Sequence, residues 1–217
     1  MLGSQDGLVA LLGVLLGVSA ATSDVRIVYA AALAALCAES ISMGAAAYTS
    51  TEARRRHYMK KVSRELLEMK EVPASELEEV RDILKGWGYE GKDIDDVADH
   101  IASNPKAMLE VMMSFEHKLA PVDKGAARRS FAVVLASTVF GSIIPLIPFF
   151  FVTAATISSG AIASAILGGA VLFFIGAYEA KTTVGSIWWS GLEMTLIGLS
   201  AGFVGYLIGH LIGAIPV

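Results

Sequence analysis

The sequence has few of the residues that form disulfides or structural zinc sites. Its 217 residues include one cysteine, Cys37, and four histidines. One cysteine cannot form a disulfide within the chain, and it gives no information about the redox compartment. No two histidines have the spacing of zinc ligands. Disulfide-rich scaffolds and zinc-finger-like sites are therefore excluded.

Charge is almost absent from both ends of the chain. Residues 51–126 contain 16 of the 21 acidic residues and 13 of the 17 basic residues. The flanks are apolar, and the whole chain is 54% hydrophobic with a mean hydropathy of +0.60. An ordinary soluble domain is about 45–50% apolar even when glycine is included. The sequence therefore predicts a membrane protein with a polar insert, and the absence of a basic patch argues against nucleic-acid binding.

Five apolar stretches approach the ~20 residues that a spanning helix needs. They are residues 6–22, 28–50, 130–153, 157–180 and 187–215. No Lys or Arg precedes the first stretch, so we expect a mature span there and not a signal peptide. The predicted fold is all-α, with five transmembrane helices and a helical insert. Its domains are residues 1–50 (helices 1 and 2), 51–126 (the polar helical insert, whose side of the membrane and ligand follow below) and 127–217 (helices 3 to 5).

Two local features of these spans carry structural predictions. Pro145 and Pro148 should kink or break the third span, because each removes a backbone donor. Small residues four apart favour close helix packing. Such pairs occur at Gly13 and Gly17, Gly198 and Gly202, and Gly205 and Gly209.

The distribution of Lys and Arg sets the expected orientation. Basic residues cluster at both junctions between the insert and the membrane: Arg54, Arg55, Arg56, Lys60, Lys61, Lys124, Arg128 and Arg129. Positive loops stay in the cytoplasm, so the insert and the N-terminus should be cytoplasmic and the C-terminus outside. With no organelle address in the sequence, we expect a prokaryotic plasma membrane, or a vacuolar membrane if the source is eukaryotic.

The insert should contain three or four helices. The first continues from the second span to Pro73, which stops it. Ser75 followed by Glu78 resembles a capping box, which predicts a second helix that ends near residues 86–88. Residues 93–103 form a short amphipathic segment. Asn104 and Pro105 then have the residue types of an N-cap and a first helical position, and this helix should run to about Lys118.

Four acids lie in the predicted membrane spans, Asp6, Glu39, Glu179 and Glu193, and we select Glu39 and Asp6 as functional candidates. Glu39 is in the body of the second span, with Met43 one turn later on the same face. An acid in a membrane is a functional candidate by default, because a charge there costs about 2.5–3.5 kcal/mol on insertion scales. The alternative is a protonated Glu39 bonded to a neighbouring helix. Asp6, at the mouth of the first span, is either an interfacial acid at a helix start or the entrance of a pathway.

The insert carries carboxylates at helical spacing. Glu65 and Glu68 share a face, Glu76 and Glu79 repeat that spacing, and Met112 and Glu116 share a face of a later helix. Carboxylates with one thioether suit a divalent first-row metal better than calcium. The alternative is a solvated acidic surface, which we expect for Glu71, Glu78 and Glu90. A di-iron centre needs repeated Glu and His three apart, and His57, His100 and His117 do not follow acids in that way.

Four segments of the chain carry a family resemblance: QDGLVALLGVLLGV at residues 5–18, AESISMGAAAYTSTEA at 38–53, NPKAMLEVMMSFEHKL at 104–119 and GSIIPLIPFF at 141–150. By these segments, their order and their spacing, the chain resembles the vacuolar iron transporter family of divalent metal/proton antiporters. The resemblance covers essentially the whole length.

The resemblance implies a five-span homodimer with a metal pathway at the subunit interface. Asp6, Glu39 and Met43 match the family's intramembrane acid, acid and thioether positions. The metal-binding positions of the cytoplasmic helices map onto Glu65, Glu68, Glu76, Glu79, Met112 and Glu116. The implied activity is export of Fe2+ from the cytoplasm in exchange for protons, with Mn2+, Zn2+ and Co2+ as further substrate ions and no prosthetic group. The rival hypothesis is a membrane-anchored metal sensor or storage module without transport. Neither is an enzyme.

Overall fold

The computed structural model describes residues 2–183 and 185–214. Every regular element within these residues is helical, as the sequence predicts. Five of the helices are long and apolar enough to cross a membrane. The protein is therefore an all-α integral membrane protein.

Within the described residues, eight α-helices follow one another. They are α1 (Leu2–Ala21), α2 (Val25–Glu71), α3 (Pro73–Gly86), α4 (Lys92–Ala102), α5 (Pro105–Val111), α6 (Ala126–Leu146), α7 (Ile157–Thr182) and α8 (Ile187–Gly213). The predicted spans coincide with α1, the apolar half of α2, α6, α7 and α8. The predicted end of the fifth span, Ile215, lies outside the described residues.

The chain divides into two compact units. One consists of Met1–Tyr48 and Arg128–Val217, and the other of Thr49–Ala127. The helix α2 contributes residues to both, because no Gly or Pro interrupts it between Ala45 and Val72. The assignment of the second unit to the cytoplasm stays a prediction.

The core of the first unit forms around α1. Leu11 and Leu15 of α1 pack with apolar residues of α2 and of the later helices. The other members are Val28, Ala32, Leu36, Leu146, Phe149 and Ala161. A second apolar cluster joins Leu8 and Leu12 to Leu172 of α7. These side chains are buried between helices, whereas many large apolar side chains of the same unit are exposed on its surface. That distribution is the one expected of helices surrounded by lipid.

Glycine allows α1 and α8 to approach closely. A Cβ atom on Gly17 would lie 2.9 Å from the carbonyl oxygen of Gly205, and a Cβ on Gly209 would overlap the backbone of Gly17. Small residues permit such contacts between membrane helices. The prediction that the Gly13/Gly17 and Gly205/Gly209 pairs pack closely is confirmed.

The two prolines change the geometry of the third span as predicted. After α6 ends at Leu146, the chain continues as a 3-10 helix over Ile147–Phe151. Side chains from other helices satisfy the backbone there: the Ser164 hydroxyl donates to the Pro145 carbonyl, and the Tyr29 hydroxyl donates to the Phe149 carbonyl. This is how a broken helix is tolerated at membrane depth.

The second unit is a small helical domain with its own core. Val80 and Leu84 of α3 pack with Ile94 and Ala98 of α4, and with Met108 and Met112. The Asn104 side chain accepts hydrogen bonds from the backbone of Lys106 and Ala107, so the predicted N-cap is confirmed.

One local prediction in this unit is wrong, and another is confirmed with a change of helix type. The expected capping box at Ser75 does not start a helix, because α3 begins at Pro73 and has Val72 at its N-cap with no side-chain bond. Proline is favoured at a first helical position, and here it sets the start. The helix predicted from Pro105 to about Lys118 is present to Glu116, but its last turn, Met112–Glu116, is π-helical and not α-helical.

Candidate metal sites

The insert brings its predicted carboxylates together. Glu65 lies on α2, Glu76 and Glu79 lie on α3, and Glu116 ends the π-helical turn. The charges of Glu68 and Glu79 act on both Glu65 and Glu76, and those of Glu76 and Glu79 act on Glu116. Helical spacing alone paired these residues two by two, and the fold of the second unit joins the pairs into one cluster.

The centre of this cluster is a buried pair of carboxyl groups. Glu65 is 1% exposed and Glu76 is 4% exposed. Their side chains interact with each other, yet Glu65 Oε1 and Glu76 Oε2 have no donor. Two ionised carboxylates cannot supply one. The pair therefore needs a shared proton or a cation.

Burial and neighbouring charge shift the ionisation of the pair. Loss of solvent, followed by the adjacent Glu65 carboxyl, raises the pKa of Glu76 to about 7. Burial also raises the pKa of Glu65, reinforced by the charges of Glu116, Glu68 and Glu79. Both effects disfavour the charged form. A bound cation would reverse them.

The rim of the cluster is more accessible. The Glu116 side chain is 34% exposed and lies within hydrogen-bonding range of Glu79. Burial is the main cause that raises the pKa of Glu116, and His117 opposes it. Glu68 is half-buried and pairs with Arg64 at 2.9 Å. Carboxylates thus lead from the surface to the buried pair.

The first unit contains the two acids that the sequence analysis selects in the membrane spans, Asp6 and Glu39. Asp6 of α1 is exposed, while Glu39 and Met43 of α2 are half-buried. Asp6 and Glu39 are close enough for their charges to interact. One chain therefore places both acids at one region of its surface.

The neighbours of these acids point elsewhere. Gln5, beside Asp6, is 8% exposed, and Ser40, beside Glu39, is 2% exposed. Successive residues of an α-helix are rotated by about 100°. Because Gln5 and Ser40 face the interior of the unit, the adjacent acids Asp6 and Glu39 lie at the boundary between its interior and its surface. The sequence analysis did not identify either polar neighbour.

Comparison with known proteins now identifies the family. The model of the VIT family matches residues 1–210. The chain belongs to the VIT family. Vacuolar iron transporter 1 of Oryza sativa subsp. japonica is 30% identical over 206 residues, which cover 95% of this chain and 81% of that protein.

Other relatives of the VIT family agree. Vacuolar iron transporter 1 of Arabidopsis thaliana is 29% identical over 212 residues, covering 98% of this chain and 84% of that protein. The vacuolar iron transporter of Plasmodium falciparum (isolate 3D7) is 29% identical over 217 residues, covering 95% and 78%. The resemblance is confirmed. These relatives are named as transporters and not as enzymes, which agrees with the expectation that this chain is not an enzyme.

In this VIT-family chain, Met112 has a different environment from the glutamates. It is fully buried in the apolar cluster formed with Val80 and Leu84. Its role as a thioether ligand stays a prediction. The three acids expected to be solvated, Glu71, Glu78 and Glu90, are exposed, and Glu78 pairs with Arg81 at 3.2 Å.

The sequence analysis missed one member of the cluster, His117. Its Nε2 lies 2.9 Å from Glu65 Oε2, and its Nδ1 lies 3.3 Å from Glu116 Oε1. One ligand atom from each of Glu65, Glu116 and His117 lies within 4.8 Å of the others. The only signal in the sequence was its position directly after Glu116, because His117 has no acid three residues before it.

Proposed function

We propose that this protein is a secondary transporter that moves Fe2+ out of the cytoplasm in exchange for protons, with Mn2+, Zn2+ and Co2+ as further substrates. The observation that carries the proposal is the pair of interacting acids, Asp6 and Glu39, at the surface of a membrane-spanning unit. Membership in the VIT family supports iron as the substrate, since the relatives are named vacuolar iron transporters.

The exposure of the two acids supports a homodimer. A charge placed in hydrocarbon costs about 2.5–3.5 kcal/mol on insertion scales. Asp6 is exposed and Glu39 is half-buried in one chain, so protein or water has to cover them in a bilayer. A second copy related by two-fold symmetry would face Asp6 and Glu39 with the same acids and enclose a polar pathway.

Three side chains would form this pathway. Asp6 would receive the ion at the mouth of α1, and Glu39 and Met43 would hold it further along. Met43 lies one helical turn from Glu39, so a carboxylate and a thioether face the same ion. This mixed set suits a first-row transition metal. Protonation of Glu39 from outside would weaken its hold on the ion, and this competition would couple the two fluxes.

The insert would capture metal for transport. Its buried carboxyl pair, Glu65 and Glu76, has oxygens without donors, and Glu116 and Glu68 lie at the accessible rim. The excess of basic residues at both junctions supports a cytoplasmic insert and N-terminus, with the C-terminus outside. A prokaryotic plasma membrane stays an expectation, because the relatives are named for the vacuole.

Flux measurements in proteoliposomes test the proposal. An acidic lumen should drive Fe2+ uptake in vesicles whose insert faces the external solution, and the lumen should become more alkaline as Fe2+ enters. We expect Glu39→Gln to lose both signals together. Glu179→Gln, at the end of α7, is the matched control and should keep them. Full pH-driven uptake by Glu39→Gln would refute the coupling.

The same preparation separates transport from storage. Replacing the insert glutamates Glu65, Glu68, Glu76, Glu79 and Glu116 with alanine should raise the Fe2+ concentration needed for half-maximal flux and leave flux at saturating Fe2+. If the intact protein binds Fe2+ but transports none under any gradient, the sensor or storage hypothesis is correct instead.

A further inference from the structure

His117 lies between two carboxylates of the insert cluster. Its ring nitrogens are 2.9 Å from Glu65 Oε2 and 3.3 Å from Glu116 Oε1. The His117 side chain is 12% exposed and that of Glu65 is 2% exposed. A histidine so placed is either an imidazolium that holds two acids together or a ligand for the same cation that they bind.

The π-helical turn puts His117 in this position. Its backbone N–H donates to the carbonyl of Met112, five residues earlier, at 3.1 Å. An α-helix would use the carbonyl four residues earlier, so the turn contains one extra residue. The edge of Phe115 packs against Trp87 with ring centroids 4.6 Å apart and so anchors the turn to the end of α3. Such turns occur frequently at functional sites.

The spacing of the donor atoms suits one metal ion. The closest atoms of Glu65, Glu116 and His117 lie within 4.8 Å of one another. Ligands of a divalent first-row metal at about 2.0–2.2 Å from the ion are separated by at most ~4.4 Å. Small side-chain rotations would close that difference. Beside this group, the buried oxygens Glu65 Oε1 and Glu76 Oε2 have no donor, and a cation, like a shared proton, would satisfy them.

A nitrogen donor changes which cation is preferred. Mg2+ and Ca2+ prefer oxygen ligands, whereas imidazole suits iron, zinc and copper. A metal-bound histidine also donates its second ring N–H to a carboxylate, which fixes the ring. Glu116 is placed to accept that bond from Nδ1 while Nε2 turns to the ion beside Glu65.

We propose that His117 is a nitrogen ligand of the divalent metal in the insert and biases this site toward transition metals over Mg2+ and Ca2+. The inference rests on the proposed function, because it assumes that the insert binds the metal that the protein transports. The proposal adds the imidazole of His117 to the predicted ligand set of the insert, which consists of glutamates and one methionine.

Pulsed EPR of Mn2+ bound to the full-length protein in detergent tests the inference directly. The wild type labelled with 14N-histidine should show modulation from a directly coordinated nitrogen, and labelling with 15N-histidine should change its frequency. His117→Ala should remove this signal. His100→Ala, an exposed histidine on α4, is the matched control and should retain it.

Binding measurements provide the second readout. We expect His117→Ala to lower the affinity for Co2+ by about ten-fold or more, in the range found for groups that support metal ligands, and to leave Mg2+ affinity unchanged. Adding imidazole to His117→Ala should partly restore Co2+ binding. Circular dichroism checks folding, and His117→Gln, which keeps a hydrogen-bonding side chain, should show the same loss.

The outcomes are distinguishable. If wild-type protein binds Mn2+ with no nitrogen signal, or the signal survives in His117→Ala, the inference is wrong and metal capture by the insert stands. An equal loss of Co2+ and Mg2+ affinity would make His117 a residue that only positions the acids, and would overturn the inference as well. Absence of any metal binding by the wild-type insert would overturn the capture role and the inference together.

Discussion

Replacing Glu76 with glutamine should stabilise the insert when metal is absent. Glu76 is 4% exposed, and burial together with Glu65 raises its pKa from the ordinary 4.5 to about 7. In this range the folded state binds more protons than the unfolded state, so stability falls as pH rises. The loss begins as pH passes 4.5 and is complete above about 7. One pKa unit corresponds to about 1.4 kcal/mol, so the ionised carboxyl costs ~3 kcal/mol.

Hydrogen exchange of the α3 amides measures this effect within the intact protein, because local opening reports local stability. After correction for intrinsic exchange rates, Glu76→Gln should be protected roughly a hundred-fold more than wild type at pH 8 without metal, the factor that corresponds to ~3 kcal/mol. At pH 4.5 the two proteins should be nearly equal. Glu78→Gln, an exposed residue on the same helix, should behave as wild type at both values. An equal gain for Glu76→Gln at both pH values, or no gain at pH 8, would refute the reasoning.

Three further predictions concern metal binding and packing. Binding of Mn2+ to the insert should release protons at pH 7 and fewer at pH 9, because a cation displaces the proton of Glu76. Calorimetry in buffers of different ionisation enthalpy measures the number of protons released. A number that does not change with pH would contradict the prediction. Gly209→Ala should destabilise the contact of α1 with α8 by about 1–3 kcal/mol through overpacking, whereas Gly13→Ala, whose Cβ would lie 3.6 Å from its nearest neighbour, should be tolerated. Thermal unfolding in detergent compares the two variants. Equal melting temperatures would contradict the close packing of α1 on α8 at Gly209. Tyr29→Phe removes the donor to the Phe149 carbonyl and should cost ~1 kcal/mol by the same assay, with exposed Tyr178→Phe as the unchanged control.

The helical architecture could be predicted because its determinants are local. Long apolar stretches, the break at Pro145 and Pro148, and the cap at Asn104 each depend on residues close together in the chain. The spacing of Gly13 and Gly17, and of Gly205 and Gly209, predicted close helix packing. It did not predict that α1 and α8 pack against each other. The wrong capping box at Ser75 shows the limit of such patterns. Two competing start signals lay within three residues, and the proline at the first helical position prevailed.

The separate pairs of glutamates could be predicted, but their convergence could not. Spacing places Glu65 beside Glu68, and Glu76 beside Glu79, because each pair occupies one helix. Whether α2 and α3 turn these faces toward each other depends on the packing of Val80, Leu84 and Met108 in the core of the insert. The burial that raises the pKa of Glu76 follows from that packing, so no pattern in the sequence reports it.

His117 was missed because its position depends on a register change of one residue. In a continuous α-helix from Pro105, residues 112 and 116 share a face and residue 117 is rotated about 100° from residue 116. The π-helical turn over Met112–Glu116 contains one residue more per turn than an α-helix does. The spacing of residues in the sequence does not reveal this change of register. Met112 remains buried in the apolar core, while Glu116 and His117 both reach Glu65. A rule that looks for Glu and His three residues apart assumes a regular helix. It therefore fails where an irregular turn brings adjacent residues to the same cluster of ligand atoms.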